Sequence, residues 1–245
     1  MRVARLVTLV LTAHGSADPR SAANARAVAR QIVHLRPDLD VRVAFCEHNS
    51  PALVDVLNRC RGAAVVTPLL LADAYHARVD IPDQIASCAA SHRVWQANVL
   101  GEDDRLVSVL RQRVTELGVS PLDGTLGLLV VAIGSSNAAA NARTAEVAPK
   151  LLAGTHWAAA TTAFASRPEP SLAEAANELR RRGARRVIIA PWFLAPGRLP
   201  DRVQRFALGL GIPMAAPLGA HRLVAETVLD RFDRVAAERA DRTAA

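Results

Sequence analysis

One order of elements runs twice along this chain of 245 residues. LVLTAHGS at Leu9–Ser16 is answered by LLVVAIGSS at Leu128–Ser136, and the pentapeptide AANAR occurs at Ala22–Arg26 and again at Ala139–Arg143. Phe45 and Pro51 recur as Phe164 and Pro170 at the same separation. TPLLLAD at Thr67–Asp73 returns as APWFLAP at Ala190–Pro196, and IPDQI at Ile81–Ile85 as LPDRV at Leu199–Val203. A duplicated unit confines the fold to architectures that half a chain can build. Within each half, continuous Val/Leu-rich runs alternate with amphipathic stretches, such as Ala25, Val28, Ala29, Ile32 and Leu35 at helical spacing. Strands that are apolar on both faces belong in parallel sheets covered by helices, so the expected class is α/β: two similar domains, each a parallel sheet flanked by helices. Pro121 and Gly124 punctuate Gly118–Gly124 and place the boundary there, giving domains 1–120 and 121–245. The last helical stretch, about His221–Arg239, is a candidate to pack back on the first domain.

Composition bounds the partners. Lys150 is the only lysine among 30 basic residues, and the formal charge is +7. That balance favours anionic partners: nucleic acid, acidic membrane, or a polycarboxylate or phosphate ligand. A GC-rich coding bias accounts for many of the arginines. The densest run, Arg180–Arg186, falls at a helix end and a strand start, on the side opposite the C-terminal ends of the strands. A helix dipole favours cations there, and no nucleic-acid motif or interleaved aromatic accompanies them. Nucleic acid is therefore not an expected partner. Cys46, Cys60 and Cys88 form neither a C-x-x-C motif nor an even set, which fits a reducing cytosol. The apolar start of the chain is short for a signal peptide, and cleavage nearby would remove His14. No run approaches the roughly 20 apolar residues that span a bilayer. The expectation is a soluble, cytoplasmic monomer or homodimer with no membrane partner. Gly209-Leu-Gly211 lacks the third glycine of a dinucleotide fingerprint, and neither a P-loop nor G-x-S-x-G is present.

Three residues carry the chemistry. His14 follows the apolar run Leu6–Ala13, Glu47 follows Val41–Cys46, and His76 comes shortly after Ala63–Leu71. In an open parallel sheet the C-terminal strand ends form one crest, where ligands bind. Two imidazoles and a carboxylate there could hold a divalent transition metal or accept a proton. Gly15 allows a tight turn, Ser16 or Asp18 could cap a helix near Pro19, and the free N–H groups of the turn favour anions. Asn49 and Ser50 are placed to cap a helix beginning around Pro51, while His48 is expected to point away from Glu47 by strand alternation. Tyr75, the only tyrosine, could pack on a flat ligand or plug the base of its loop; Asp80 could cap the next helix or orient His76. The second half has Ile133 in place of His14, Ser166 in place of Glu47, and no histidine in Pro196–Pro200. Packing alone would want the same residues in both halves, so function is the better account of the first set.

His14-Gly15-Ser16 after a strand, Phe45-x-Glu47-x-x-x-Pro51, and Pro68-Leu-Leu-Leu followed by His76 and Asp80-Ile-Pro82 together resemble the sirohydrochlorin chelatases of siroheme and cobalamin synthesis. The resemblance covers the whole chain in layout and is specific in the first half. It implies two domains facing across a cleft and ATP-free insertion of ferrous or cobaltous ion, a substrate with no tightly bound cofactor, into an octacarboxylate tetrapyrrole. His14, His76 and Glu47 would be metal ligands and catalytic groups, with His14 the proton acceptor. Substrate contacts are expected at Gly15, Ser16, Arg20, Ala74, Tyr75 and Arg78. The sequence departs from the family pattern in two places: Ala17 stands where an arginine is common, and Ala74-Tyr75 where glycines are common. A non-catalytic tetrapyrrole or metal carrier is the competing expectation.

Overall fold

Seven apolar runs become strands and the amphipathic stretches between them become helices in the computed structural model of the protein, which describes residues 7–166 and 170–244. Leu6, counted in the first strand from sequence, lies outside the described residues. In chain order the elements are β1 (Thr8–Ala13), α1 (Pro19–Leu35), β2 (Val41–Phe45), α2 (Leu53–Asn58), β3 (Ala64–Pro68), α3 (Ile81–Ser87) and β4 (Val94–Gln96). There follow α4 (Asp104–Thr115), β5 (Leu126–Ala132), α5 (Ala138–Ala145), α6 (Val147–Leu152), β6 (Ala159–Phe164), α7 (Leu172–Arg181), β7 (Arg186–Pro191), α8 (Arg198–Gly209) and α9 (Arg222–Ala244).

The strands form two parallel sheets, ordered β2-β1-β3-β4 and β6-β5-β7. β1 and β5 are central in their sheets, and every residue of each is buried. This is why both read as unbroken apolar runs rather than alternating ones. Ile189 bridges Met214 in parallel, so a short stretch takes the position in the second sheet that β4 takes in the first.

Local chemistry sets the helix starts. Asp18 accepts from the Arg20 amide at 3.0 Å and Pro19 opens α1, whose stripe Ala22, Ala25, Val28, Ala29 and Ile32 is buried. Of the two caps open from sequence, Asp18 is the one used; the Ser16 hydroxyl instead accepts from the Asp18 amide at 3.0 Å. Asn137 caps α5 and Ser171 caps α7 through a reciprocal bond with Glu174. The second copy of the first helix is broken into α5 and α6, with Pro149, which has no N–H to donate, in the first turn of α6.

The chain divides into two compact units, Met1–Gly101 with Ala220–Ala245, and Glu102–Gly219. That division differs from a cut at residue 120. α9 packs on α1 and β3, while α4 packs on α6 and β7. The apolar stripe of α4 (Leu106, Val107, Val109, Leu110 and Val114) is plain in the sequence. Which sheet it covers is a tertiary choice, and the linker punctuation at Gly118–Gly124 lies after that helix rather than before it. Among the described residues no helix is long and apolar enough to cross a membrane. The arginine run closes α7 and opens β7, as read from sequence. Arg180, Arg181, Arg182 and Arg186 face acceptors at Asn177, Glu178, the Ala160 carbonyl and Asp123.

Candidate metal and active site

The crest of the first sheet collects three histidines and two carboxylates. Beyond Ala13 and Phe45 the neighbouring strands β1 and β2 stay in step. The Cys46 amide donates to the Ala13 carbonyl and the Glu47 amide to the His14 carbonyl, both at 3.0 Å. Gly15 is what permits this approach. Its φ is +99°, and a Cβ added there would sit 1.8 Å from the Glu47 carbonyl oxygen. The Ser16 amide donates to Asn49 Oδ1 at 2.8 Å, tying the two strand-end loops together.

This arrangement brings His14 Nε2 within 3.0 Å of Glu47 Oε1. The His14 and His76 rings lie face to face, with centroids 3.9 Å apart and planes tilted by 33°. His76 opens a π-helical turn, His76–Asp80, in which the Ile81 amide bonds back to the His76 carbonyl. Single π turns of this kind recur at functional sites. The turn places Asp80 against His76 Nδ1, and Asp80 makes no capping bond to α3. Of its two expected roles, orienting the imidazole is the one observed.

Burial first, and then the neighbouring His76, lower the pKa of His14 below 6.5, against an opposing pull from Glu47. His14 is therefore neutral near pH 7 and available as a base or ligand. Its Nδ1 is buried without a partner, which leaves Nε2, beside Glu47, as the nitrogen with chemistry to do. Cys46, between Phe45 and Glu47, is a different case: burial, reinforced by Asp80 and Glu47, pushes its thiol up to about 11. It stays protonated and is a poor ligand.

Two sequence expectations, for His48 and Asn49, need correction here. His48 does not point away; its Nε2 lies 3.2 Å from Glu47 Oε1. Strand alternation ends at Phe45, and His48 takes a left-handed φ of 60° that swings its ring back. Asn49 does not cap α2, whose N-cap Ala52 makes no side-chain bond; it serves the loop junction instead. Tyr75 is 63% exposed and meets His76 edge-on at 5.9 Å, so it plugs nothing and offers its ring outward. Arg20 pairs with Asp18 at 2.6 Å and Arg78 with Asp73 at 2.5 Å, so each candidate rim guanidinium already has a carboxylate of its own. Ala74 uses its carbonyl to accept from the Ala77 and Arg78 amides, starting the turn that carries His76. Finally, His14, Glu47 and His76 share the crest but do not form a ready-made ligand cage: no group of three or more His, Cys, Asp or Glu side chains among the described residues is disposed to hold a metal. The rings stack and Glu47 sits on His14, so a metal would have to reorient at least one side chain.

The second unit repeats the scaffold without the chemistry. Gly134 has φ +91°, the Ala165 amide donates to Ala132 at 2.8 Å, and the Ser166 amide donates to Ile133 at 2.9 Å. Ile133, in the position of His14, is 56% exposed, and the Ser166 hydroxyl donates to the Ile133 carbonyl at 2.6 Å. The backbone is thus indifferent to histidine at this place.

Fold and site together define a duplicated parallel α/β protein with a histidine–carboxylate cluster on the strand crest of one copy. The chain belongs to the CbiX family, whose sequence model matches twice, at residues 8–117 and 127–235. It is 29% identical over 185 residues to a sirohydrochlorin ferrochelatase of Priestia megaterium, covering 71% of this chain and 68% of that protein. A sirohydrochlorin cobaltochelatase of the same organism is 26% identical over 211 residues, 80% of this chain and 67% of that protein. In fold the chain is similar to SirB from Bacillus subtilis with Fe3+, at a TM-score of 0.84 and 22% identity over 96% of this chain and 98% of that one.

Proposed function

We propose that this chain is a sirohydrochlorin chelatase, inserting ferrous or cobaltous ion into sirohydrochlorin without ATP. The observation that carries the reading is the placement of His14, His76 and Glu47 on one crest of a CbiX-family fold, set beside an equivalent crest that lacks them. Insertion of a divalent ion displaces two protons from the macrocycle's pyrrole nitrogens. A neutral His14 accepts each in turn at Nε2 and passes it to Glu47, 3.0 Å away, from which it reaches solvent before the next is taken up. Imidazole and carboxylate suit both iron and cobalt, and neutral imidazoles hold a borderline metal loosely enough to surrender it. Asp80, on the far nitrogen of His76, fixes that ring so that its other nitrogen is free for the ion. Tyr75 presents a flat exposed surface next to His76, where a macrocycle could stack. Gly15 and Ser16 form the turn beneath the reacting groups. Arg20 and Arg78, by exchanging their aspartates for substrate carboxylates, line the rim.

The test is anaerobic absorbance spectroscopy of sirohydrochlorin with either metal, with and without protein, repeated with the His14→Ala/His76→Ala double variant. Metal insertion faster than the protein-free rate, and lost in a folded double variant, is the expected result. A spectrum that shifts on binding but never shows the metallated product would instead make the chain a tetrapyrrole carrier.

A further inference from the structure

We propose that His48 is a positioning residue that holds Glu47 in place while His14 is engaged with metal; the inference rests on the chelatase reading above. Glu47 is pinned through its backbone, with its amide on the His14 carbonyl at 3.0 Å and its own carbonyl accepting from Asn49 at 2.7 Å over Gly15. Its side chain is half exposed, and its ion-pair-distance partners among the described residues are His14 and His48, whose Nε2 atoms meet the same oxygen, Oε1, at 3.0 and 3.2 Å. The two rings stand nearly perpendicular, at 79° with centroids 6.4 Å apart, and so approach that oxygen from different sides. Once His14 Nε2 turns to a metal, its hold on Oε1 is released. His48 then keeps the carboxylate where the next step needs it.

A packing role does not account for this residue. The His48 side chain is 53% exposed, yet it is the one non-glycine among the described residues with a positive φ. The left-handed turn is what directs its Nε2 back onto Glu47. Position 166, which matches Glu47 in the second unit, is a serine whose hydroxyl donates to the Ile133 carbonyl of the β5 loop, and the residue that follows it in sequence is Arg167 rather than a histidine.

Two variants separate side chain from backbone. Asparagine tolerates a left-handed φ but is too short to place a nitrogen where Nε2 lies, whereas the glutamine amide nitrogen reaches that position. The experiment measures steady-state cobaltous insertion, together with the affinity for Co2+ alone, in wild type, His48→Asn and His48→Gln. His48→Asn is expected to lose about tenfold in kcat and in Co2+ affinity, as removal of groups that orient metal-site residues commonly does, with KM for sirohydrochlorin unchanged. His48→Gln should recover to within about threefold of wild type on the same scale. Wild-type behaviour in His48→Asn, or equal impairment in both variants, overturns the assignment. If the wild-type chain fails to insert metal, the chelatase reading itself falls, and Co2+ affinity alone decides the role of His48: an undiminished value in His48→Asn rejects it.

Discussion

His14 shows how one side chain acquires its chemistry from its surroundings. Half-burial and the stacked His76 penalise the imidazolium more than Glu47 and Asp80 favour it, so the folded-state pKa lies below 6.5. The sign of the consequence follows directly. A histidine whose cation is disfavoured binds fewer protons folded than unfolded, so it leaves stability undiminished above the ordinary pKa and costs stability as pH falls through the folded one. His14 should therefore remain neutral, and metal insertion should persist, down to pH values where a free imidazole is already charged. Ring-proton NMR across a pH titration checks this. A His14 midpoint at or above 6.5 would mean that the two carboxylates outweigh burial.

At the scale of elements, the short turns between strand and helix carry the site while the helices only position them. The π turn His76–Asp80 makes the point: its register puts a carboxylate on His76 Nδ1 immediately before α3 begins. Asp80→Asn keeps the shape but weakens the acceptor, and the resulting imidazole is less basic and less firmly aimed. The expected effect is a loss of about 10- to 100-fold in metal affinity or insertion rate. The melting temperature should change little, since Asp80 caps no helix. Isothermal titration with Co2+ alongside thermal unfolding measures both. A variant that bound metal normally would remove Asp80 from the site. The same scale explains the role of Gly15, where the β1 and β2 loops approach so closely that no side chain fits between them.

For the whole molecule, the informative fact is that the last helix belongs to the first unit. Val224, Ala225, Val228, Leu229 and Phe232 of α9 are buried, in a helix that covers α1 and β3. Phe232→Ala should cost about 3–5 kcal/mol, the usual loss for an emptied aromatic position in a core. The damage should be concentrated in the unit that carries the candidate site, although residue 232 lies far from it in sequence. Hydrogen exchange resolves this, with protection expected to fall in β1–β4 more than in β5–β7. Equal loss in both sheets would show that α9 supports the chain in some other way.

What could be read from the chain alone was whatever depends on local pattern and on repetition. Unbroken apolar runs require parallel strands covered on both faces, and the doubled motifs LTAHGS and VAIGSS require one unit built twice. Because strand ends in such a sheet converge, His14, Glu47 and His76 could be placed on one crest without coordinates. The absence of these residues from the second copy marked them as candidates for function rather than packing. Other features rest on conformations with no local signature. The left-handed turn at His48, the capture of Asn49 by the Ser16 amide, and the stacking of His14 on His76 in place of an open ligand triad each depend on how two loops meet. The exchange of α4 and α9 between units is the same limit at larger scale. An amphipathic stripe states that a helix must bury one face, and only the assembled sheets decide against what.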